Sequence, residues 1–531
     1  DLGTASPVEI HAFPNFGGGF TFRDYGLRAR IWVNGSGNAM ESPEVTINSS
    51  PFATSLYGGD YMHISFVNYG NSTVGGESFT KCSDAWNKAR ESSNATVVLT
   101  SAWLIDSPLE LNWGQNVTVD LNGYPIIRTV KKTQDGGELF YIAEGATLNI
   151  IDSSPTRQSC GNFKGGSIQG GRSNDTAGLI ECLGKLNMTG GTLYNGGTTD
   201  KGGAIKLTGS ATANLTGVLI SNCWSDKAVT YQNEGGAIYM SDFAQLTLKN
   251  CVIRNCHALD YGGAIYMEDE GNRLTCENVD ILSCRANENQ GGGVYQDHGE
   301  TNWIGGSIVS CAAGDDDGGG FYVNNDRVTM RNVLFDGNNS GGSGGAFYSN
   351  SDDGAWFFGC TFQRNNAQGQ GGAIYVDNDN IYMENCSVVS NGSGEEGGGI
   401  YLASTSTIGV AGVTVIRSND GADSHDNLVL AGNAYLYNHG LEPGSEIRLR
   451  GESDGSVKLG GSPMSEYQLN QYFRADHGRL ELTETQTVNT ELRASVFSEG
   501  IIVLIIGAVI LIAALAGGGI YYRKKRKGGA Q

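Results

Sequence analysis

The sequence predicts an all-β fold, a parallel β-helix solenoid, and three observations predict it. A Gly-Gly-(Ala/Gly)-(Ile/Val/Phe)-Tyr block recurs from Gly202, Gly235, Gly262, Gly291, Gly318, Gly344, Gly371 and Gly397, at intervals of 26 to 33 residues, with Lys206 in the Tyr place of the first block. Within each unit a second landmark falls at Gly217, Asn250, Asn278, Gly305, Asn332, Gly359, Asn385 and Gly412. Three residues after it stands an apolar column: Ile220, Ile253, Ile281, Ile308, Phe335, Phe362, Val388 and Val415. Positions two apart share a face throughout, which is the strand period and excludes helical repeats. A unit of such length covers its apolar face only by stacking on its neighbours.

Each unit of roughly 27 residues holds about three short strands. The Gly-Gly block opens one, placing Ile238 and Met240 on one side and Ala237 and Tyr239 on the other. Runs such as Leu246 to Leu248 or Val328 to Met330 supply another, and the segment after the landmark the third. Gly, Asn, Asp and Ser separate them, residues that tolerate left-handed backbone and cap their own turns. Eight coils one strand spacing apart make a rod about 40 Å long.

With its GGAI-type blocks the chain resembles the right-handed β-helix repeats of bacterial surface proteins, including the polymorphic outer-membrane and adhesin-like families. The resemblance covers about residues 80 to 420. The segment SDAWNKARE, Ser83 to Glu91, followed by NATVVLTSAWLIDSPLELNWGQNVTVDLNGYPI, is similar to the start of such solenoids. A short helix capped by Ser83 or Asp84 is expected there, closing the open end of the rod. The resemblance implies a right-handed scaffold far more than an activity.

The remaining segments are placed around this rod. Residues 1–80 lack the repeat but contain PVEIHAF, LRARIWV, EVTIN and YMHISFVNY, which predicts a β-rich N-terminal domain. The β-helix spans 81–420, with the helical cap at about 83–91 and regular coils over 202–420. Residues 421–499 keep strand runs such as NLVLAG and SEIRLRG without the block, and read as irregular closing coils followed by a spacer. Residues 500–522 contain the apolar run Ile501 to Tyr522, long enough for a transmembrane helix, and 523–531 hold the basic stop Arg523-Lys524-Lys525-Arg526-Lys527. The positive-inside rule then puts that tail in the cytoplasm and the rest outside the cell. The chain begins at Asp1 without a leader and reads as a mature form.

Eighty glycines and nine prolines suit a turn-dense β architecture. Before Ile501 stand 30 basic and 56 acidic residues, a net charge of −26, which argues against nucleic acid as partner. Cys223, Cys256, Cys284 and Cys311 share a turn column, and Cys251, Cys360 and Cys386 a core column. Side chains stacked in register point in parallel, so buried thiols are expected rather than disulfides, with Asn338, Asn365 and Asn391 continuing the turn column as an amide ladder. Eleven Asn-x-Ser/Thr triplets, among them Asn385 and Asn391 inside or beside the ladders, carry little weight in so Asn- and Ser-rich a chain.

Two rows are candidate sites. Tyr239, Tyr266, Tyr295, Tyr322, Tyr348, Tyr375 and Tyr401 form a column that would offer rings to a glycan or another protein, or would stack on itself and shield the sheet. Asp242, Asp269 and Asp297, with Glu268, Glu270 and His298, follow the same strand on successive coils. Carboxylates one rung apart suit glycan cleavage or calcium, and similar rows serve the pectin-degrading β-helix enzymes, but exposed turns favour Asp in any case. The histidines have no metal-ligand spacing, there is no Cys-x-x-Cys, and no glycine pair opens a helix that would hold phosphate. No cofactor is expected. The function expected is adhesion or display at the cell surface, with glycans or host proteins as ligands. A membrane-tethered polysaccharide lyase or hydrolase and an inert stalk are the alternatives.

Overall fold

The structure, a computed structural model, describes residues 69–476 apart from short interior segments, together with strands Gly19–Phe22, Ala29–Val33 and Met40–Glu41. Those three strands pair antiparallel in a small sheet of their own. The rest of 1–68, and everything after Asp476, including Ile501 to Tyr522 and the basic tail, lies outside the described residues. Among the described residues no helix is long and apolar enough to cross a membrane.

The rod is a parallel β-helix with three faces. The first is built from twelve strands in register, from Leu109–Leu111 to Leu428–Leu430, eight of them opened by the Gly-Gly block. The second runs through strands such as Gln245–Lys249 and Asn380–Glu384, the third through Val252–Arg254 and Thr361–Gln363. A ladder of nine two-residue strands, Arg172–Ser173 to Gly392–Ser393, forms the corner before each return to the first face. Several rungs pair like with like: Tyr266 with Tyr295, Met240 with Met267, Phe335 with Phe362.

Two sequence features make the coil close. The Asn/Gly landmark residues all have left-handed backbone, φ between 51° and 68°, so the column alternates between the two residue types that adopt it most readily. The Gly-Gly pair is required for space as well as conformation. Gly235 has φ 63°, and a Cβ on Gly236 would lie 2.3 Å from the Gly263 carbonyl oxygen and 2.4 Å from the His257 carbonyl carbon. The first glycine of each pair turns the chain, and the second lets the corner pack against the next rung.

One apolar cluster fills the interior from Val74 to Phe473, including face-to-face Phe335 and Phe362 with centroids 4.7 Å apart. The turn column behaves as expected and extends further. Each Asn338, Asn365 and Asn391 side-chain oxygen accepts from the rung before it, and the chain continues through Asn419 and Asn427 to the Asp476 carboxylate. The ten described cysteines are all free and buried.

Three expectations need correction. The cap helix spans Cys82–Glu91, and its N-cap is Lys81 without a side-chain bond; Ser83 and Asp84 lie inside its first turn. It nevertheless buries Cys82, Ala85, Trp86 and Ala89 against the end of the core, with the Trp86 ring 5.8 Å from Phe140. The hairpin Tyr69–Val74 and Glu77–Lys81 pairs with the first coil strand, Ala95–Leu99, so it belongs to the rod. In the last regular coil one extra residue displaces the column: Ile416 is fully buried against Val388, whereas Val415 faces Ser387 and Val413 is 40 % exposed.

Candidate functional site

The tyrosine column is real, and its geometry differs from an open platform. Successive rings from Tyr239 to Tyr401 stack with centroids 4.8 to 5.7 Å apart and planes within 20° of parallel. Parallel strands 4.8 Å apart place identical side chains at ring-stacking distance, so each ring's two faces are covered by its neighbours. Tyr239, Tyr266, Tyr295, Tyr322 and Tyr401 are buried, while Tyr348 and Tyr375 remain half-buried. No face is left on which a sugar would stack inside the column. What reaches the surface is a row of ring edges and hydroxyls.

Two rows of residues flank the column. The residue before each Gly-Gly pair supplies one: Lys201, Glu234, Tyr261, Gln290, Asp317, Ser343, Gln370 and Glu396. The other lies two residues after each tyrosine and includes Glu268, Asp297, Asn324 and Asp377. Tyr261 covers the floor directly, 4.9 Å from the Tyr295 ring. Burial first, and then carboxylates such as Glu234, Asp297 and Asp317, push the phenols well above their usual range; Tyr375 rises to about 12. The hydroxyls therefore stay protonated and available as donors.

A partly buried cation held by carboxylates closes each end. Lys201 Nζ lies 4.6 Å over the Tyr239 ring, donates to its hydroxyl at 3.1 Å and meets Glu234 at 2.9 Å and Glu268 at 3.3 Å. Burial raises the Glu234 carboxyl to about 7, although Lys201 pulls it down. At the far end Arg450, in the rung past Val429, binds Asp426 at 2.5 Å and Glu396 at 3.0 Å. The single residue types before each glycine pair gave no sequence signal for these closures, because Lys201 and Arg450 meet their partners only through the stacking.

The acidic row is occupied by structural work. Asp269 accepts the Asp242 backbone N–H at 2.9 Å, and Asp242 itself has left-handed backbone at φ 56°. Asp297 accepts from the Asn324 amide at 2.8 Å, and Asn324 in turn from Asn350 at 3.2 Å. Glu268 is drawn to Lys201, and His298 lies 3.4 Å from Asp326, whose carboxylate caps the Gly299 N–H. The row therefore ties each turn to the next. Among the described residues no group of three or more His, Cys, Asp or Glu is arranged to hold a metal ion.

A second aromatic cluster escaped the repeat pattern. The central outward column of the second face reads Thr118, Asn149, Asn187, Asn214, Thr247, Thr275, Asn302 and Thr329, then changes to Trp356, Tyr382, Gly409 and Tyr437. Beside it stand Phe358 and His439. These rings break the period instead of following it, so an alignment of repeats discards them.

No curated protein and no solved structure matches the chain. Two family models match parts of it. Residues 156–309 match the right handed beta helix region, and residues 359–377, which include the block at Gly371, match the Chlamydia polymorphic membrane protein repeat. The chain is thus a β-helix repeat protein, similar over those stretches to right-handed β-helix regions and to polymorphic membrane protein repeats.

Proposed function

We propose that this protein is a surface-displayed β-helix rod whose role is adhesion, with a glycan or a partner protein held along its outer surface. The similarity of residues 359–377 to a polymorphic membrane protein repeat supports a surface or outer-membrane setting. The observation that carries a binding role is the flanked tyrosine column on the first face: protonated phenol hydroxyls repeat at rung spacing between rows that include carboxylates and amides. Such a column recognises a long ligand by edge contacts and hydrogen bonds, many times over. The C-terminal apolar run 501–522 and its basic stop would anchor the rod in a membrane with the tail in the cytoplasm.

Replacing Tyr348 and Tyr375, the two least buried rings, with serine tests this reading. Cell binding by the full chain should fall at least tenfold while the β-sheet circular dichroism stays intact. Retained binding overturns the column as the site. Burial of the stack favours a second reading, an inert stalk, which predicts no ligand for either form. The enzyme alternative has less support, since Asp242, Asp269 and Asp297 are engaged in turns.

A further inference from the structure

The second face carries an aromatic surface of a different kind from the tyrosine stack. On the first face rings stand upright and cover each other. Here glycines let them lie down. A Cβ on Gly409 would come within 2.9 Å of the His439 ring and 3.0 Å of the Tyr382 ring, and one on Gly460 within 2.8 Å of the Tyr437 ring. At Gly354 a Cβ would lie 3.3 Å from the Trp356 ring. Rings leaning over glycine rungs turn one face to the sheet and the other to solvent. Trp356, Phe358, Tyr382 and Tyr437 are accordingly half-buried and His439 exposed. Neighbouring rings meet at 5.7 to 6.1 Å, with planes tilted 54° for Phe358 and Tyr382, 60° for Tyr382 and His439, and 27° for Tyr437 and His439. The Phe358–Tyr382 and Tyr382–His439 pairs are tilted, and Tyr437 lies at 6.0 Å and 26° from Tyr435, a looser approach than that of the parallel tyrosines.

Two cations lie on the same patch. The guanidinium of Arg327 lies 5.2 Å over the Trp356 ring and that of Arg331 lies 4.0 Å over Phe358. Other arginines of this chain meet carboxylates, Arg273 with Glu300, Arg364 with Asp336, Arg417 and Arg448 with Glu446, Arg450 with Asp426, while Arg157 and Arg172 lie over Tyr124 and Trp224. Arg327 and Arg331 make no ion pair with a described carboxylate, and the Arg327 Nε is buried without a hydrogen-bond partner. Two cations are thus held over rings with no described carboxylate to neutralise them. Such an arrangement matches an anion fixed to a ligand that also has flat apolar faces.

We propose that the outer surface of the second face from Arg327 to His439 is a binding site for an anionic glycan, a saccharide chain bearing carboxylate or sulfate groups. Its pyranose rings lie along the rod axis on Trp356, Tyr382 and Tyr437, since one sugar of an extended chain is close to one rung in length. Arg327 and Arg331 take its charges, and the Tyr382 hydroxyl, which donates to Glu384 at 3.1 Å, supplies a polar handle at the edge. The ring faces give affinity without demanding one linkage, and the arginines give preference for charge. This site is separate from the tyrosine column, and the two readings fail separately.

Full-length protein in detergent, titrated with hyaluronan- and heparin-derived oligosaccharides and with a neutral cello-oligosaccharide of equal length, tests the proposal. The anionic chains should bind and the neutral chain bind at least tenfold more weakly. Tyr382→Ala and Tyr437→Ala should each weaken binding at least tenfold, while Tyr382→Phe retains most of it. Arg327→Gln with Arg331→Gln should remove the preference for anionic chains and its salt dependence. These titrations read the second face alone, so their failure would leave the cell-binding test of Tyr348 and Tyr375 standing. No binding by the parent, equal binding of neutral and anionic chains, or parent-like affinity in the alanine variants overturns the proposal. Parent-like affinity with a lowered melting temperature would assign the rings to shielding the glycine rungs.

Discussion

Glu181 shows how a single side chain in the column sets a pH dependence. It occupies the tyrosine place two rungs before Tyr239, between Tyr141 and Lys206, and accepts the Ala177 N–H at 3.1 Å. Burial raises its carboxyl to about 7, against the pull of Lys206 and the Ala177 bond. A folded-state value above the unfolded one, near 4.5, means that the fold favours the protonated acid. The associated stability is complete below about pH 4.5 and is lost as pH rises through about 7. Glu181→Gln keeps the acceptor and removes the charge, so it should match the parent at pH 4.5 and exceed it by on the order of 3 kcal/mol at pH 8.5 in urea melts. A difference that does not change with pH would refute the assignment. Asn365 makes a different kind of prediction. Its oxygen accepts from the Asn338 backbone at 3.0 Å and side chain at 2.9 Å, and its amide donates to Phe335 O and Asn391. Asn365→Ala leaves those buried groups unpaired and should cost about 3 kcal/mol or more, read as a fall in urea midpoint. Because Asn338 and Asn391 are buried in the same ladder, neither sequon should carry a glycan in folded protein expressed in a glycosylating host.

At the scale of the coil, the first-face strand depends on its glycine pair more than on its tyrosine. A Cβ on Gly263 would sit 2.2 Å from Gly292 O and 2.3 Å from the Arg285 carbonyl carbon, contacts with backbone that no rotamer relieves. Gly263→Ala should therefore abolish the cooperative melt or lower it drastically, whereas Tyr266→Leu, which keeps an apolar body in the stack, should cost only about 1–2 kcal/mol. This hierarchy explains what the sequence revealed. Spacing of the Gly-Gly pair and of the Asn/Gly landmark is dictated by backbone sterics, so both were visible in one chain, and with them the rungs, the buried thiols and the amide ladder. Orientation of a ring within its column is not a matter of spacing. The tyrosines were placed correctly in sequence, and of the two readings open there, a platform for a ligand or a stack shielding the sheet, the 4.8 to 5.7 Å centroid distances match the stack. Val415 was misplaced because a one-residue insertion before Ile416 leaves the apolar alternation looking intact. Trp356, Tyr382 and Tyr437 were passed over because a site that departs from the repeat has no column to announce it.

Over the whole molecule, the rod's stability is a sum of neighbour contacts, so its ends decide where unfolding begins. The N-terminal end is covered by Cys82–Glu91, whose Trp86 packs on Phe140 and donates its indole N–H to Glu110 O at 3.2 Å. Ala89 is fully buried in the same interface. Ala89→Glu would place a carboxylate against the exposed end of the apolar core with no described cation among the cap's buried residues, and should expel the helix at a cost of several kcal/mol. The loss should stay local. Hydrogen exchange should rise first in the coils from Ala95 to Arg128, then decay along the rod, leaving the strands from Tyr239 to Tyr401 protected as in the parent. The interior thiols report the same asymmetry, since Cys256 and Cys311 are sealed in the core, their thiols pushed well above the usual range by burial. An alkylating reagent should label Cys82 in Ala89→Glu within minutes and leave Cys256, Cys276 and Cys311 unreacted until denaturant is added. Uniform loss of protection, or labelling of all ten described thiols together, would mean that the coils unfold as one unit instead of fraying from the uncapped end.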